Sequence, residues 1–175
     1  MRKLVFNVFS VLAISTCLLS CSKDDKNQVS PATKADIVGN WSISAEPVIG
    51  ITITGAAEQQ QKMNDSLKFL FHRGDKYLFN EDLSCTIKRG NSTAPAPKTY
   101  AIAGNYLTFD GFIKFSTNLS DDKKTLTLTA GDAEIKEMVR VELLKPKYGY
   151  DESLINSILN FVKGEVKLSF SAEEQ

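Results

Sequence analysis

The chain has 175 residues, with 21 basic and 21 acidic side chains and a single histidine. That balance leaves no basic surplus for nucleic-acid phosphates, and one histidine excludes a His-cluster metal centre. The length suits one folded domain with a sizeable core.

The chain opens with Met1-Arg2-Lys3 and a mostly apolar run to Leu19, ending in Leu18-Leu19-Ser20-Cys21. Two positive charges, an apolar run and a small residue before a break describe a secretory signal peptide over residues 1–20. The run is too short to span a bilayer, and Asn7, Ser10, Ser15 and Thr16 interrupt it. Cleavage after Ser20 removes Arg2 and Lys3, leaving 155 residues with 19 basic and 21 acidic side chains, a net charge of −2. Cys17 leaves with the leader. Cys85 lies in the alternating stretch Leu83-Ser84-Cys85-Thr86-Ile87 and reads as a buried small hydrophobe, so no disulfide framework is expected.

Leu-Leu-Ser-Cys resembles the lipobox of bacterial lipoproteins. The resemblance implies lipid on Cys21, which holds the chain on a membrane without a spanning helix; stable anchoring takes more than one acyl chain. Residues 21–35 read as a lipid-anchored disordered tether, because Ser22–Ala35 (SKDDKNQVSPATKA) cannot bury a core. The Lys23-Asp24-Asp25 cluster resembles the export signal of Bacteroidota-type lipoproteins, which implies display on the outer face of the outer membrane; a periplasm-facing position is the alternative.

The folded domain is expected over residues 36–175. Ile37–Ser44 alternates as a first strand, followed by the β-branched Val48–Thr54. Ala56–Leu70 predicts a helix, with Met63, Leu67 and Leu70 on one stripe. Short strands follow at Lys76–Phe79, Ser84–Lys88, Thr99–Ala103, Tyr106–Phe109, Phe112–Thr117 and Thr125–Thr129, separated by turns such as Gly104-Asn105 and Asp110-Gly111. Glu134–Leu144 reads as a long strand. Asp151 or Ser153 caps a last helix with the apolar face Leu154, Ile155, Ile158, Leu159 and Val162. Gly164 is expected to stop it, before a final strand through Val166, Leu168 and Phe170. The fold class is mainly β: an antiparallel meander of about eight strands, closed into a barrel that removes its edges.

Gly39-Asn40-Trp41 at the head of the first strand, with the meander and a C-terminal helix, resembles the lipocalins. With the lipobox, an inserted helix, the Phe79-Asn80-Glu81-Asp82 turn and Gly-Asn-x-Leu hairpins, the order is similar to the lipocalin-like lipoproteins of Bacteroidota. The resemblance covers roughly residues 36–144. Leu83 departs from it, standing where that turn usually has Gly. It implies an up-and-down β-barrel with Trp41 packed at one end and Arg140, from a late strand, lying across its ring.

Catalytic chemistry finds no candidates. His72-Arg73-Gly74-Asp75 reads as an exposed loop. Ser120-Asp121-Asp122-Lys123 matches Ser-x-x-Lys but is a charged turn without the companion motifs. Asp65-Ser66-Leu67 resembles a short acceptor pattern for O-glycosylation. Tyr77, Phe79, Tyr100, Tyr106, Phe109, Phe112 and Phe115 are expected to fill the barrel, or else to line a cavity. The expectation is a non-enzymatic, surface-exposed outer-membrane lipoprotein with no cofactor or metal, binding a small apolar or glycan ligand. The alternative is a structural or interaction module of an envelope assembly, with another envelope protein as partner and no ligand cavity.

Overall fold

The computed structural model describes residues 32–90, 92–93 and 99–173; the leader, Cys21 and most of the tether lie outside the described residues. The chain enters through a short helix, α1 (Lys34–Ile37), and a first strand, β1 (Gly39–Ile43). Then come β2 (Val48–Ile53), α2 (Ala57–Leu70), β3 (Lys76–Phe79), β4 (Cys85–Arg89), β5 (Ser92–Thr93), β6 (Tyr100–Ala103), β7 (Tyr106–Phe109), β8 (Ile113–Leu119) and β9 (Thr125–Ala130). Two helices, α3 (Asp132–Leu143) and α4 (Glu152–Leu159), precede the long strand β10 (Val162–Ala172).

The strand order β4-β3-β1-β10-β9-β8-β7-β6 is an eight-stranded antiparallel meander whose first strand pairs with its last. A Ser84–Thr99 bridge brings its two ends together, and the Tyr100 amide donates to the Leu83 carbonyl at 2.9 Å. The result is an up-and-down barrel of the expected mainly β class, nearly closed and carrying helices. Strand formation follows from alternation: β8 buries Ile113, Phe115 and Thr117, and β10 buries Val166, Leu168 and Phe170. At the β7–β8 connection Phe109 pairs with Ile113 across a three-residue loop, in which Asp110 (φ 47°) and Gly111 (φ 79°) are both left-handed.

β2 extends the barrel wall. It pairs with the first half of β10, while β1 pairs with the second half. Ile43 faces Phe170 and Val48 faces Lys167, five steps on one strand against three on the other. The segment between them is therefore bulged by two residues, and β1–β2 is one interrupted strand. α2 then folds back along the free edge of β2. Asn64 clamps Ile51 there, donating Nδ2 to its carbonyl and accepting its amide, both at 2.9 Å. Gln60 Oε1 accepts the Ile53 amide at 2.9 Å. These two amides, one turn apart on α2, supply the hydrogen bonds that a further strand would.

Three expectations are corrected. Residues 134–144 are not a strand but lie largely in α3, because Ile135, Met138, Val139 and Leu143 recur at helical spacing and all are buried. Gly131 opens it, its amide donating to Glu134 Oε2 at 3.1 Å. Gly164 does not end α4, which finishes at Leu159; it lies inside β10. A Cβ there would meet the Gly50 carbonyl oxygen at 2.2 Å, so a glycine is needed for β10 to approach β2. The described fold also starts before Asp36. Ala32 is buried, and Thr33 and Asp36 form a capping box over α1: the Thr33 amide and hydroxyl both donate to Asp36 Oδ2, at 3.0 and 2.6 Å.

Candidate functional site

The barrel interior is the first place to look, and aromatic rings fill it. Phe71, Tyr77, Phe79, Tyr100, Phe109, Phe115 and Phe170 form one connected cluster with centroids 5.0 to 6.5 Å apart, and all are buried. Phe71 directly follows α2 and enters at the mouth where β3 begins, packing edge-on to Phe115 at 5.9 Å. The expected stripe on α2 is covered: Leu67 is buried, and Met63 and Leu70 pack against the core. Two rings expected inside, Tyr106 and Phe112, are instead on the outer surface, with Lys114 Nζ 3.9 Å from the Tyr106 ring centroid. The interior also holds an unpartnered hydroxyl, Thr117 Oγ1.

Trp41 is buried between β3 and β10, and its indole N–H donates to the Ile37 carbonyl at 2.8 Å. The expected stacking of Arg140 on Trp41 is not found. Arg140 lies on α3, a helix rather than a late strand, and donates to Asn156 Oδ1 at 2.9 Å. Among the described residues the cation–π contacts are Arg89 with Phe69, Lys114 with Tyr106 and Lys147 with Tyr148.

The sequence motifs with chemical associations sit in structural roles. Asp75 of Arg73-Gly74-Asp75 is not in an exposed loop position: it is 1% exposed. Arg89 grips it with Nε to Oδ1 at 2.8 Å and a terminal nitrogen to Oδ2 at 2.7 Å, and also donates to the Phe69 carbonyl at 3.0 Å. This fork ties the end of α2 to β3 and β4. Ser120 bonds Asp122 at 2.6 Å within its turn, and Lys123 reaches Asp36 Oδ1 at 2.6 Å. Burial pushes the Cys85 thiol up to about 12, an unreactive sulfur. Asp65-Ser66-Leu67 lies on α2 with Ser66 at the surface and Leu67 buried. No group of three His, Cys, Asp or Glu side chains arranged to hold a metal occurs among the described residues.

The candidate site is therefore on the outside. α4 packs Ile155 and Leu159 into the core, yet Leu154 is 45% and Phe161 58% exposed. They flank a groove of about 380 Å³ that continues over Ile158, Tyr150 and the Gly55–Ala56 turn. Its polar edge is Gln59, whose Nε2 donates to the Tyr150 hydroxyl at 3.1 Å. Asp151 Oδ1 caps α4 by accepting the Leu154 amide at 2.8 Å, which fixes the helix against this groove.

This groove and the entry of the chain are at opposite poles. Phe161 precedes β10, and just past its other end the Glu173 amide donates to Asn40, beside α1. Eleven residues of strand separate them, roughly 33 Å at the usual strand rise. Comparison with protein-family models, curated proteins and solved structures finds no match for the chain. Among the described residues no helix is long and apolar enough to cross a membrane.

Proposed function

We propose that this chain is a non-catalytic interaction module, anchored by lipid on Cys21 to the outer membrane of a bacterial envelope and displayed at the cell surface. The observation that carries the reading is the ring cluster: a barrel filled by Phe71, Tyr77, Phe79, Phe109 and Phe115 offers its outer surface, not its interior, to other molecules. The apolar groove beside α4 supports it, because it lies at the pole away from the tether, where an envelope protein has access.

Native mass spectrometry of the lipidated protein from its own membrane tests the reading. The expected mass is the acylated chain alone or with a protein partner. A stoichiometric small apolar or glycan ligand would overturn it in favour of a ligand carrier. Cys21→Ala should abolish palmitate incorporation, and protease treatment of intact cells should release the domain; protection from protease would place it facing the periplasm.

A further inference from the structure

We propose that the groove between α3 and α4 is an oxyanion site, holding a sulfate, phosphate or carboxylate group beside Lys136, Arg140 and Asn160. The helices are joined by the short segment 144–151; Arg140 late in α3 meets Asn156 on α4, and Asp132 at the start of α3 meets the Gly164 amide beyond α4, so the two run antiparallel in that register. One turn along, four residues back on α3 and four forward past α4, that register sets Lys136 opposite Asn160. All four side chains line a groove of about 380 Å³, with Glu137 on its rim.

The two rungs of this ladder differ. The Arg140–Asn156 rung is closed by its hydrogen bond, and Glu137 Oε2 stands 3.7 Å from Arg140 Nε. At the Lys136–Asn160 rung neither side chain has a hydrogen bond or ion pair among the described residues. Lys136 is half-buried and lines the groove. The lining holds two cations and one carboxylate, a local surplus of positive charge. An ammonium has three donors and no acceptor, an amide adds two donors, and the guanidinium keeps N–H groups to spare. Donors of this kind, with positive charge, match a ligand of several acceptor oxygens and negative charge. An apolar occupant would leave the ammonium desolvated and unpaired. This groove lies on the α3 side of α4, whereas the apolar groove lies on its α2 side.

Calorimetric titration of the full lipidated protein in neutral detergent tests the site, with sodium sulfate, sodium phosphate and a sulfated oligosaccharide at constant ionic strength. The expected result is saturable binding, weakened about tenfold or more in Lys136→Met, as for one lost charge-assisted hydrogen bond. Asn160→Asp, which sets a carboxylate in the groove, should weaken it similarly, and the exposed Lys88→Met on β4 should leave it unchanged. Tighter binding of the oligosaccharide than of free sulfate assigns the oxyanion to a sugar polymer, and equal affinity assigns it to a free ion; both uphold the site. Heats without saturation, or affinities unchanged in Lys136→Met and Asn160→Asp, overturn it.

Discussion

The two mouths of the barrel are closed by different means. At the mouth where the chain enters, α1 has only four residues, too few to present an apolar stripe. It is held by Ile37, by the Trp41 indole and by Asp36, whose carboxylate takes Thr33 on one oxygen and Lys123 on the other. At the other mouth, α2 has 14 residues and buries Leu67, while Phe71 beyond its end joins the ring cluster. Short polar contacts fix the entry; apolar burial and amide clamps fix the far side. The first kind depends on pH and the second does not, so the two mouths should fail under different conditions.

The largest effect is expected at the far mouth. Phe71→Ala should cost ~3–5 kcal/mol, as large-to-small core changes do. Trp41→Ala should cost a similar amount on the near side. Chemical denaturation measures both, and a midpoint within a degree or two of the parent in thermal melting would contradict the packing described for either residue.

Gly164→Ala should cost ~2–4 kcal/mol, because its Cβ would sit 2.2 Å from the Gly50 carbonyl and push β2 off β10. The damage should be confined to the β2–α2 arm. If amide exchange in β9 quickens as much as in β2, the arm and the barrel are a single cooperative unit.

Asn64→Ala tests the clamp. Removing it leaves the Ile51 amide and carbonyl without partners, at a cost of ~1–3 kcal/mol. The Ile51 amide should exchange much faster, while Thr125–Ala130 stay protected. Unchanged exchange at Ile51 would show that α2 does not hold the edge of β2.

The near mouth is sharpened by acid. Hydrogen bonds from Lys123 and then from Thr33 hold the Asp36 carboxyl well below the usual carboxylate range. Its folded pKa is thus depressed, so its contribution is present above the unfolded value near ~4 and fades as pH falls towards the folded one. Asp36→Asn should be less stable than the parent at neutral pH, with the gap shrinking below about pH 4. A gap constant down to pH 2 would remove the charge from the account.

The smallest change should be favourable. Leu83 has φ 67°, a left-handed conformation that strains a branched side chain. Leu83→Gly should therefore raise stability by up to about 1 kcal/mol, the relief offset in part by glycine's greater freedom when unfolded. A lower melting temperature would show that the half-exposed Leu83 side chain contributes more by packing than the turn loses by strain.

Much of the wall was legible because alternation and turn chemistry are local. Asp110-Gly111 and Gly104-Asn105 mark their hairpins, and Phe115 lies on the inner face of β8 as expected, whereas Phe112, expected inside with it, falls outside. The odd residue, Leu83, was visible as a departure from the expected Gly, and its backbone conformation shows what the turn asks for. α3 was misread because its β-branched Val139 and Val141 follow a β-rich run, although Ile135, Met138 and Val139 carry the helical period. That error placed Arg140 on a strand, and the Trp41 pairing failed with it. The grooves were not legible at all. Nothing in the apolar face of α4 says that Ile155 and Leu159 go inward while Leu154 and Phe161 stay out, because α2 and α3 decide that.

The amides of Gln60 and Asn64 have one more consequence. A bare strand edge is a template on which another chain can add, and β2 carries β-branched Val48, Ile49, Ile51 and Ile53 with no charge among them. By covering that edge with side chains, α2 terminates the sheet. Many copies are held close together on one membrane face in the proposed anchoring. There, α2 keeps an uncharged strand edge from pairing with a neighbouring chain, and a change that loosens it opens that edge.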